Sequence, residues 1–295
     1  MVKNEVQAFH TLRPRLQKIA YRMLGSVADA EDIVQDVWLR WHDAPHDDIE
    51  IAEAWLVAIT TRLSIDRLRT AKIRREDYVG IWLPEPALGD SPATPEEMTA
   101  RASEVSVAFL MLLERLTPEA RAAFLLHEVF DIDYDRIADA IGKTKAACRQ
   151  LVSRAKTQLR NDDGPRRGVP PDTHRQLLQM FARAATLGDF PSIQALLAED
   201  ATLIGDGGGK VPSVTTTMLG GRRIAQLFYA TWLHYGSEMK WRLVILNGEW
   251  GLLRFMQDRL ESAQSFETDG TQIVRIFMQR NPDKLARIAA TCLVD

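Results

Sequence analysis

Two sets of side chains in this sequence have types and spacings suited to chemistry. The first is cationic and polar. Lys145, Arg149, Gln150, Ser153, Arg154 and Lys156 recur along one short stretch, with Thr144 just ahead of them. Gathered on one helix face, such residues neutralise phosphates and hydrogen-bond base edges. The second is anionic. Asp189, Asp200, Asp206 and Asp258 lie in the last third of the chain. A carboxylate inside an apolar cavity, opposite an oxyanion-stabilising donor, is the base of an isomerase or cyclase. Each of these four sits near an element end or a turn, so solvated turn residues are the plainer reading. The run Asp206-Gly207-Gly208-Gly209-Lys210 invites comparison with a phosphate loop, but Val211 follows the lysine where Ser or Thr is required. It reads instead as a flexible hairpin whose glycines allow another backbone to approach closely. The six histidines show no HExxH spacing, and Cys148 and Cys292 are too far apart in sequence to suggest a zinc site or disulfide framework. No catalytic set, metal or cofactor is expected.

The cationic set needs a scaffold, and the flanking sequence supplies one. Thr117-Pro118 reads as an N-cap followed by proline at the first helical position. Tyr134 to Ile141 reads as a short helix with Ile137 and Ile141 inward, and Gly142 can end it in the left-handed conformation. Thr144 caps the next helix, in which Cys148, Leu151, Val152, Ala155 and Leu159 share one side. This is the layout of a helix-turn-helix, whose second helix enters the DNA major groove by its N-terminal end. Taken alone, it is equally an ordinary helical hairpin with a solvated basic face.

The chain has 295 residues, room for two or three domains, with 46% hydrophobic and 26% charged residues and a net charge of −3. The start lacks a signal peptide's apolar core and no run has the length of a membrane span, so a reducing cytoplasm is expected. The modest net charge hides strong segregation. Residues 1–75 read as helical. From Asp29 to Glu53 there are nine carboxylates and one arginine. Ile33, Val34, Val37, Trp38 and Trp41 form the inward stripe of that acidic helix. The next helix, Ala54 to Arg75, carries Arg62, Arg67, Arg69, Lys72, Arg74 and Arg75 against Asp66 alone. Four prolines and two glycines then mark residues 76–100 as an extended linker, in which Trp82 and Leu83 are apolar enough to dock. A second linker covers Asn161–Pro171. In the last third, helices at Leu177–Leu187 and Pro191–Ala198 precede strand patterns at Ala201–Gly205, Val211–Met218, Met239–Asn247, Trp250–Gln257, Leu260–Glu267 and Gln272–Gln279. A helix at Arg223–His234 interrupts them. The expectation is an α+β cone with a curved antiparallel sheet.

The order of parts resembles the extracytoplasmic-function group of bacterial sigma-70-type transcription initiation factors. DAEDIVQDVWLRW and AWLVAITTRLSIDRLR are similar to their region 2, and LTPEARAAFLLHEVFDIDYDRIADAIGKTKAACRQLVSRAK to their region 4. The resemblance implies that the acidic helix docks on core RNA polymerase through Asp32, Gln35 and Asp36. It implies that the loop at Pro45–Ile51 captures a base flipped from the promoter's minus-ten element, at a cost of unpairing that contacts must offset. Arg62, Arg67 and Arg69 would then follow the DNA backbone. The helix from Thr144 would read the minus-thirty-five element, with Arg149 at a base edge and Lys145, Arg154 and Lys156 on phosphates. The chain departs from the family's pattern in carrying Arg62, where many members have Asn, and Asp47, Asp48 and Glu50 in the capture loop.

WLPEP, DGGGK, NPDKL and CRQL narrow the match to the SigJ-like subgroup, which carries a fused extension of the SnoaL-like, ketosteroid-isomerase-like fold. In that subgroup the extension is taken as a built-in regulator in place of a separate anti-sigma factor. The likeness implies that Asp206, Gly207, Gly208, Gly209 and Lys210, and Asn281, Pro282, Asp283, Lys284 and Leu285, touch the sigma domains or the linker, with Trp82 and Leu83 as the candidate contact in the linker. The expected organisation is multi-domain: a region 2 helical domain at 1–78, a Pro-rich linker at 79–104, a region 4 helix-turn-helix domain at 105–161, a linker at 162–172 and a SnoaL-like regulatory domain at 173–295. The expected function is promoter recognition and transcription initiation under control of that last domain, with core RNA polymerase and promoter DNA as partners and no membrane. The alternative is a transcription factor whose cone senses a small-molecule ligand or works as an isomerase- or cyclase-type enzyme.

Overall fold

A computed structural model of the chain describes residues 2–76, 78–89, 105–161 and 169–292. They fall into two units, one of Met1–Glu76 with Leu112–Gly164 and one of Asp77–Met111 with Pro165–Asp295. Among the described residues no helix is long and apolar enough to cross a membrane.

The first unit is all helix. Helices α1 (Val2–Leu24), α2 (Val27–His42) and α3 (Ala52–Glu76) come first. Gly25 takes φ +65° after α1, and Ser26 caps α2 by accepting from the Asp29 N–H at 3.2 Å. The α2 stripe is buried as its spacing predicts: Ile33, Val34, Val37 and Trp41 are all inside. The inward face of α3 is more polar than expected. Thr60, Thr61 and Ser64 are fully buried there beside Leu56, Val57, Ile65 and Leu68. Each hydroxyl donates to the carbonyl four residues back, so no polar group is left unsatisfied. Helix α4 (Val107–Leu113), whose residues up to Met111 belong to the second unit, leads to α5 (Pro118–Glu128), α6 (Tyr134–Ile141) and α7 (Lys145–Asn161). Thr117, Asp133 and Thr144 supply the N-caps, and Gly142 closes α6 at φ +66°.

The second unit is α+β. Helices α8 (Pro171–Leu187) and α9 (Phe190–Leu196) precede β1 (Leu197–Asp206), β2 (Met218–Leu219), α10 (Gly221–Tyr235), β3 (Met239–Leu246), β4 (Glu249–Met256), β5 (Arg259–Thr268), β6 (Ile273–Gln279) and α11 (Pro282–Cys292). The six strands form one sheet in the order β2-β1-β6-β5-β4-β3. An aromatic core of Phe181, Phe228, Phe266 and Trp241 lies where α8 and α10 pack on the sheet. A smaller cluster holds α11: Leu285 and Ile288 with Leu246, Leu253 and Ala263.

Three sequence expectations need correction. The sheet is mixed, because β1 runs parallel to β6. The chain leaves β1, passes through α10 and returns by way of three further strands, so the two ends meet in parallel. The strand expected at Val211–Met218 shrinks to Met218–Leu219. Residues 207–217 form a loop instead, opened by a tight turn in which the Lys210 and Val211 N–H groups reach the Gly207 carbonyl. The helix expected to reach Ala198 stops at Leu196, where β1 takes over.

Candidate nucleic-acid face and linker clamp

The cationic residues of the first unit stand on α3 and α7. Arg149, Gln150, Ser153 and Arg154 are exposed on α7, Lys156 is half-buried, and Thr144 is spent on its capping bond. Several of these charges have protein partners. Lys145 pairs with Asp135 at 2.6 Å, Lys156 with Glu128 at 2.7 Å, and the Arg149 guanidinium lies 5.5 Å from the Tyr134 ring centre. On α3, Arg62 donates from Nε to the Ala140 carbonyl at 2.9 Å and from Nη2 to the Asp139 carbonyl at 2.6 Å. These are last-turn carbonyls of α6, where a cation complements the helix dipole. Arg69 reaches Glu119 at 2.6 Å and Asp66 at 3.0 Å. Hydrogen bonding to Arg69 holds the Glu119 carboxyl below its ordinary range against the opposing effect of burial. Arg67 pairs with Asp29 at 2.8 Å and approaches Asp32 at 3.9 Å. Asp32, Gln35 and Asp36 are all exposed on α2. The loop at Pro45–Ile51 contains one 3-10 turn, His46–Asp48, with the His46 ring edge-on to Trp41 and Asp47, Asp48 and Glu50 exposed.

One buried residue ties the two sets of helices together, and sequence reading missed it. Arg121 is 2% exposed and donates to the carbonyls of Met23 at 2.6 Å and Leu113 at 2.9 Å and to Glu114 at 2.9 Å. A periodicity argument assigns it to a surface.

In the second unit, Asp206 organises a polar clamp on the segment 78–89. It ends β1 fully buried, which corrects its reading as a solvated turn residue. Its Oδ1 accepts from the Tyr78 hydroxyl at 2.6 Å and the Gly208 N–H at 2.9 Å. Its Oδ2 accepts from the Leu83 N–H at 2.9 Å, Lys284 Nζ at 2.7 Å and Gln279 Nε2 at 3.2 Å. Lys284 also donates to the Leu83 carbonyl at 2.6 Å and lies 4.3 Å from the Trp82 ring centre. Asn281 donates to the Tyr78 hydroxyl at 3.0 Å. Burial first, and then the bond to Asp206, push the Tyr78 phenol above its ordinary range, so it stays a donor. Lys210 pairs with Asp283, linking the glycine loop to the first turn of α11.

The glycines allow close approach. A Cβ on Gly208, at φ +61°, would lie 2.2 Å from Asn281 Nδ2, and one on Gly209 would lie 3.0 Å from Val79. Leu83 to Pro86 are buried, and Leu83 packs with Phe277. Further along, Leu88 bridges antiparallel to Leu246, the Gly89 N–H reaches the Ile245 carbonyl at 3.1 Å, the Asn247 N–H donates to the Ala87 carbonyl at 2.9 Å, and the Ala87 N–H donates to the Asn247 side-chain Oδ1 at 3.1 Å. The segment thereby pairs with the open edge of β3, covering backbone groups that an edge strand leaves exposed.

The structure thus brings Trp82, Leu83, Asp206, Gly208, Gly209, Asn281 and Lys284 into one network, with Lys210 and Asp283 joined beside it. Gly207 opens the loop turn. Pro282 and Leu285 start α11, Leu285 in its apolar cluster. Tyr78 and Gln279 belong to the network and were missed, since neither stands in a recognisable motif. None of the four carboxylates considered for proton transfer lies in the aromatic core: Asp189 caps α9, Asp200 is exposed and Asp258 pairs with Lys240.

Comparison with known proteins fits this geometry. Residues 8–73 match the Sigma-70 region 2 family and residues 106–159 the Sigma-70, region 4 family. The chain is 38% identical over 250 residues to the ECF RNA polymerase sigma factor SigJ of Mycobacterium tuberculosis, covering 84% of this chain and 80% of that protein. It is 30% identical over 285 residues to the probable ECF RNA polymerase sigma factor SigI of the same species, covering 96% and 95%. The crystal structure of Mycobacterium tuberculosis extracytoplasmic function sigma factor SigJ superposes with a TM-score of 0.73 at 31% identity, covering 95% of this chain and 98% of that one. These relatives are sigma factors, which are not enzymes. The chain belongs to the extracytoplasmic-function sigma factors of the sigma-70 family, the subunits that direct RNA polymerase to promoters, in the SigJ-like group with a fused SnoaL-like domain.

Proposed function

We propose that the C-terminal SnoaL-like domain regulates this sigma factor from within, by holding or releasing the tether between region 2 and region 4. The observation that carries this reading is the buried Asp206 carboxylate with its bonds to Tyr78, Leu83, Gln279 and Lys284. The tether sets how far apart the two DNA-contacting regions can stand on a promoter. An extended chain spans at most ~3.5 Å per residue, so fixing residues 78–89 takes a segment of up to about 40 Å out of free motion. Clamped, the protein is restrained; unclamped, the tether regains its length. A signal that shifts this balance must bind the two states with different affinity.

In this reading Asp32, Gln35 and Asp36 contact core polymerase, and Arg62, Arg67 and Arg69 follow the promoter backbone. Thr144, Lys145, Arg149, Gln150, Ser153, Arg154 and Lys156 form the upstream DNA contact. The protein-internal bonds of Arg62, Arg69, Lys145 and Lys156 support a resting state in which these charges are engaged. With a regulator in the same chain, no separate anti-sigma factor is required. The test is run-off transcription with core polymerase, comparing the full-length protein with Asp206→Asn and Lys284→Met. Promoter-specific transcript whose yield changes at least severalfold in both variants is expected. Equal yield from all three proteins refutes autoregulation by the clamp, and no specific transcript from any refutes the larger reading.

A further inference from the structure

A pocket of about 200 Å³ opens on the second unit, lined by Val211, Met256, Arg259, Leu260, Glu261, Arg280, Pro282 and Leu285. It is separate from the aromatic core, since Leu260 and Leu285 belong to the cluster that seats α11. Its charge is unbalanced. Glu261, 13% exposed at its side chain, is already held from the inside by Arg254 at 2.7 Å, so its negative charge is matched. Arg280 is bound to the other Glu261 oxygen and donates from Nη1 to the Pro212 carbonyl. Its Nε–H is buried with no acceptor. Arg259 is exposed, and its side chain makes no hydrogen bond or ion pair among the described residues. Two guanidinium groups are therefore left in excess, beside a wall of Val, Met, Leu and Pro side chains. That combination suits one class of occupant, an anionic head on a short apolar body.

We infer that this pocket binds a small amphipathic carboxylate, and that its occupancy loosens the linker clamp. The second half rests on the autoregulatory reading; the first does not. The coupling route is short. Arg280 follows β6 directly, and its own N–H donates to the Asp206 carbonyl at 2.7 Å. Its side chain holds the 207–217 loop through Pro212. A carboxylate is a stronger acceptor than a neutral carbonyl and draws Arg280 away from Pro212. Two further lining residues, Pro282 and Leu285, stand in the first turns of α11 and flank in sequence Lys284, the residue that grips Asp206 and the Leu83 carbonyl. A ligand wedged between Val211 and Pro282 therefore pushes on both halves of the clamp.

Octanoate is the probe, with octanol as its uncharged counterpart, each titrated calorimetrically into the full-length protein. One octanoate is expected to bind per chain, and octanol about tenfold more weakly, the scale of one lost charge-assisted hydrogen bond. Arg259→Gln, at an exposed position whose side chain has no partner among the described residues, is expected to weaken octanoate by a similar factor without disturbing the fold. Hydrogen exchange at residues 78–89 is expected to quicken when octanoate is bound. No saturable octanoate binding, or equal binding by wild type and Arg259→Gln, overturns the site. Binding with unchanged exchange at 78–89 overturns the coupling. Neither result depends on transcription, whereas the response of Asp206→Asn in run-off assays judges the clamp without any ligand.

Discussion

The two units use charge in opposite ways. In the helical unit, apart from the buried Arg121–Glu114 pair, the ion pairs of the candidate DNA-facing residues lie at the surface: Arg69 and Glu119 are 58% and 23% exposed, and Lys145 and Asp135 are 44% and 69% exposed. Such pairs contribute ~0–1 kcal/mol each and are screened by salt. In the α+β unit, Asp206 and Lys284 are 0% and 14% exposed and share their hydrogen bonds with a phenol, an amide and three backbone groups. Breaking a buried pair by removing one partner costs about 3–5 kcal/mol, because the other charge is stranded. The surface pairs suit contacts exchanged for phosphates at little net cost. The buried cluster suits a latch that opens only when something else replaces it.

The sharpest way to break this contrast is Asp206→Asn. It leaves Lys284 with a neutral amide and is expected to cost the α+β unit about 4 kcal/mol, read by urea denaturation, with residues 78–89 becoming sensitive to protease. A loss no larger than that of a surface variant would erase the distinction between the two regions. A second probe of the same unit is pH. Burial lowers the His174 imidazole to about 4. The folded protein then holds His174 neutral while the unfolded chain protonates near 6.5. Stability from this group is complete above that value and is lost as pH falls toward 4, by about 3 kcal/mol. Glu249, raised to about 8 by burial and by Glu267, acts with the opposite sign, so the readout is the difference between wild type and His174→Gln. Their stability gap should shift by that amount between pH 7 and pH 4.

The contrast also explains what could be read from the amino-acid order. The helical unit was legible because its apolar spacing and caps are local: Thr117 and Thr144 announce their helices within three residues. Where the interior is polar, as at Thr60, Thr61 and Ser64, periodicity blurs and Arg121 passes for a surface residue. Most strands were legible through their apolar runs, the exception being the one expected at Val211–Met218, where residues 207–217 form a loop. The parallel pairing of β1 with β6 was not, because it depends on where the chain returns. The Asp206 motif drew notice through its glycines, yet its burial arises from partners such as Tyr78, 128 positions away. A carboxylate's surroundings are a tertiary property, and a turn-like local sequence points the wrong way.

Within the helical unit the expected effects are smaller. Arg62→Ala removes two bonds to the last carbonyls of α6 and exposes them to water, which partly replaces what is lost. A cost of about 1 kcal/mol is expected, less in high salt. A much larger loss would mean that this unit, too, is held by a latch.

Lys145→Gln should have the smallest effect on stability and is informative for that reason. Its bond to Asp135 joins two exposed side chains, so denaturation should move by less than ~0.5 kcal/mol. The same lysine stands in the first turn of α7, beyond its Thr144 cap, where the helix-turn-helix geometry directs side chains to DNA. If it trades Asp135 for a phosphate on binding, the variant loses affinity about equally for all sequences. The slope of log affinity against log salt should then flatten by about one. Promoter binding by the polymerase holoenzyme at several salt concentrations gives that slope directly. An unchanged slope would leave Lys145 as a helix-surface charge paired with Asp135, and would move the upstream phosphate contacts to Arg154 and Lys156.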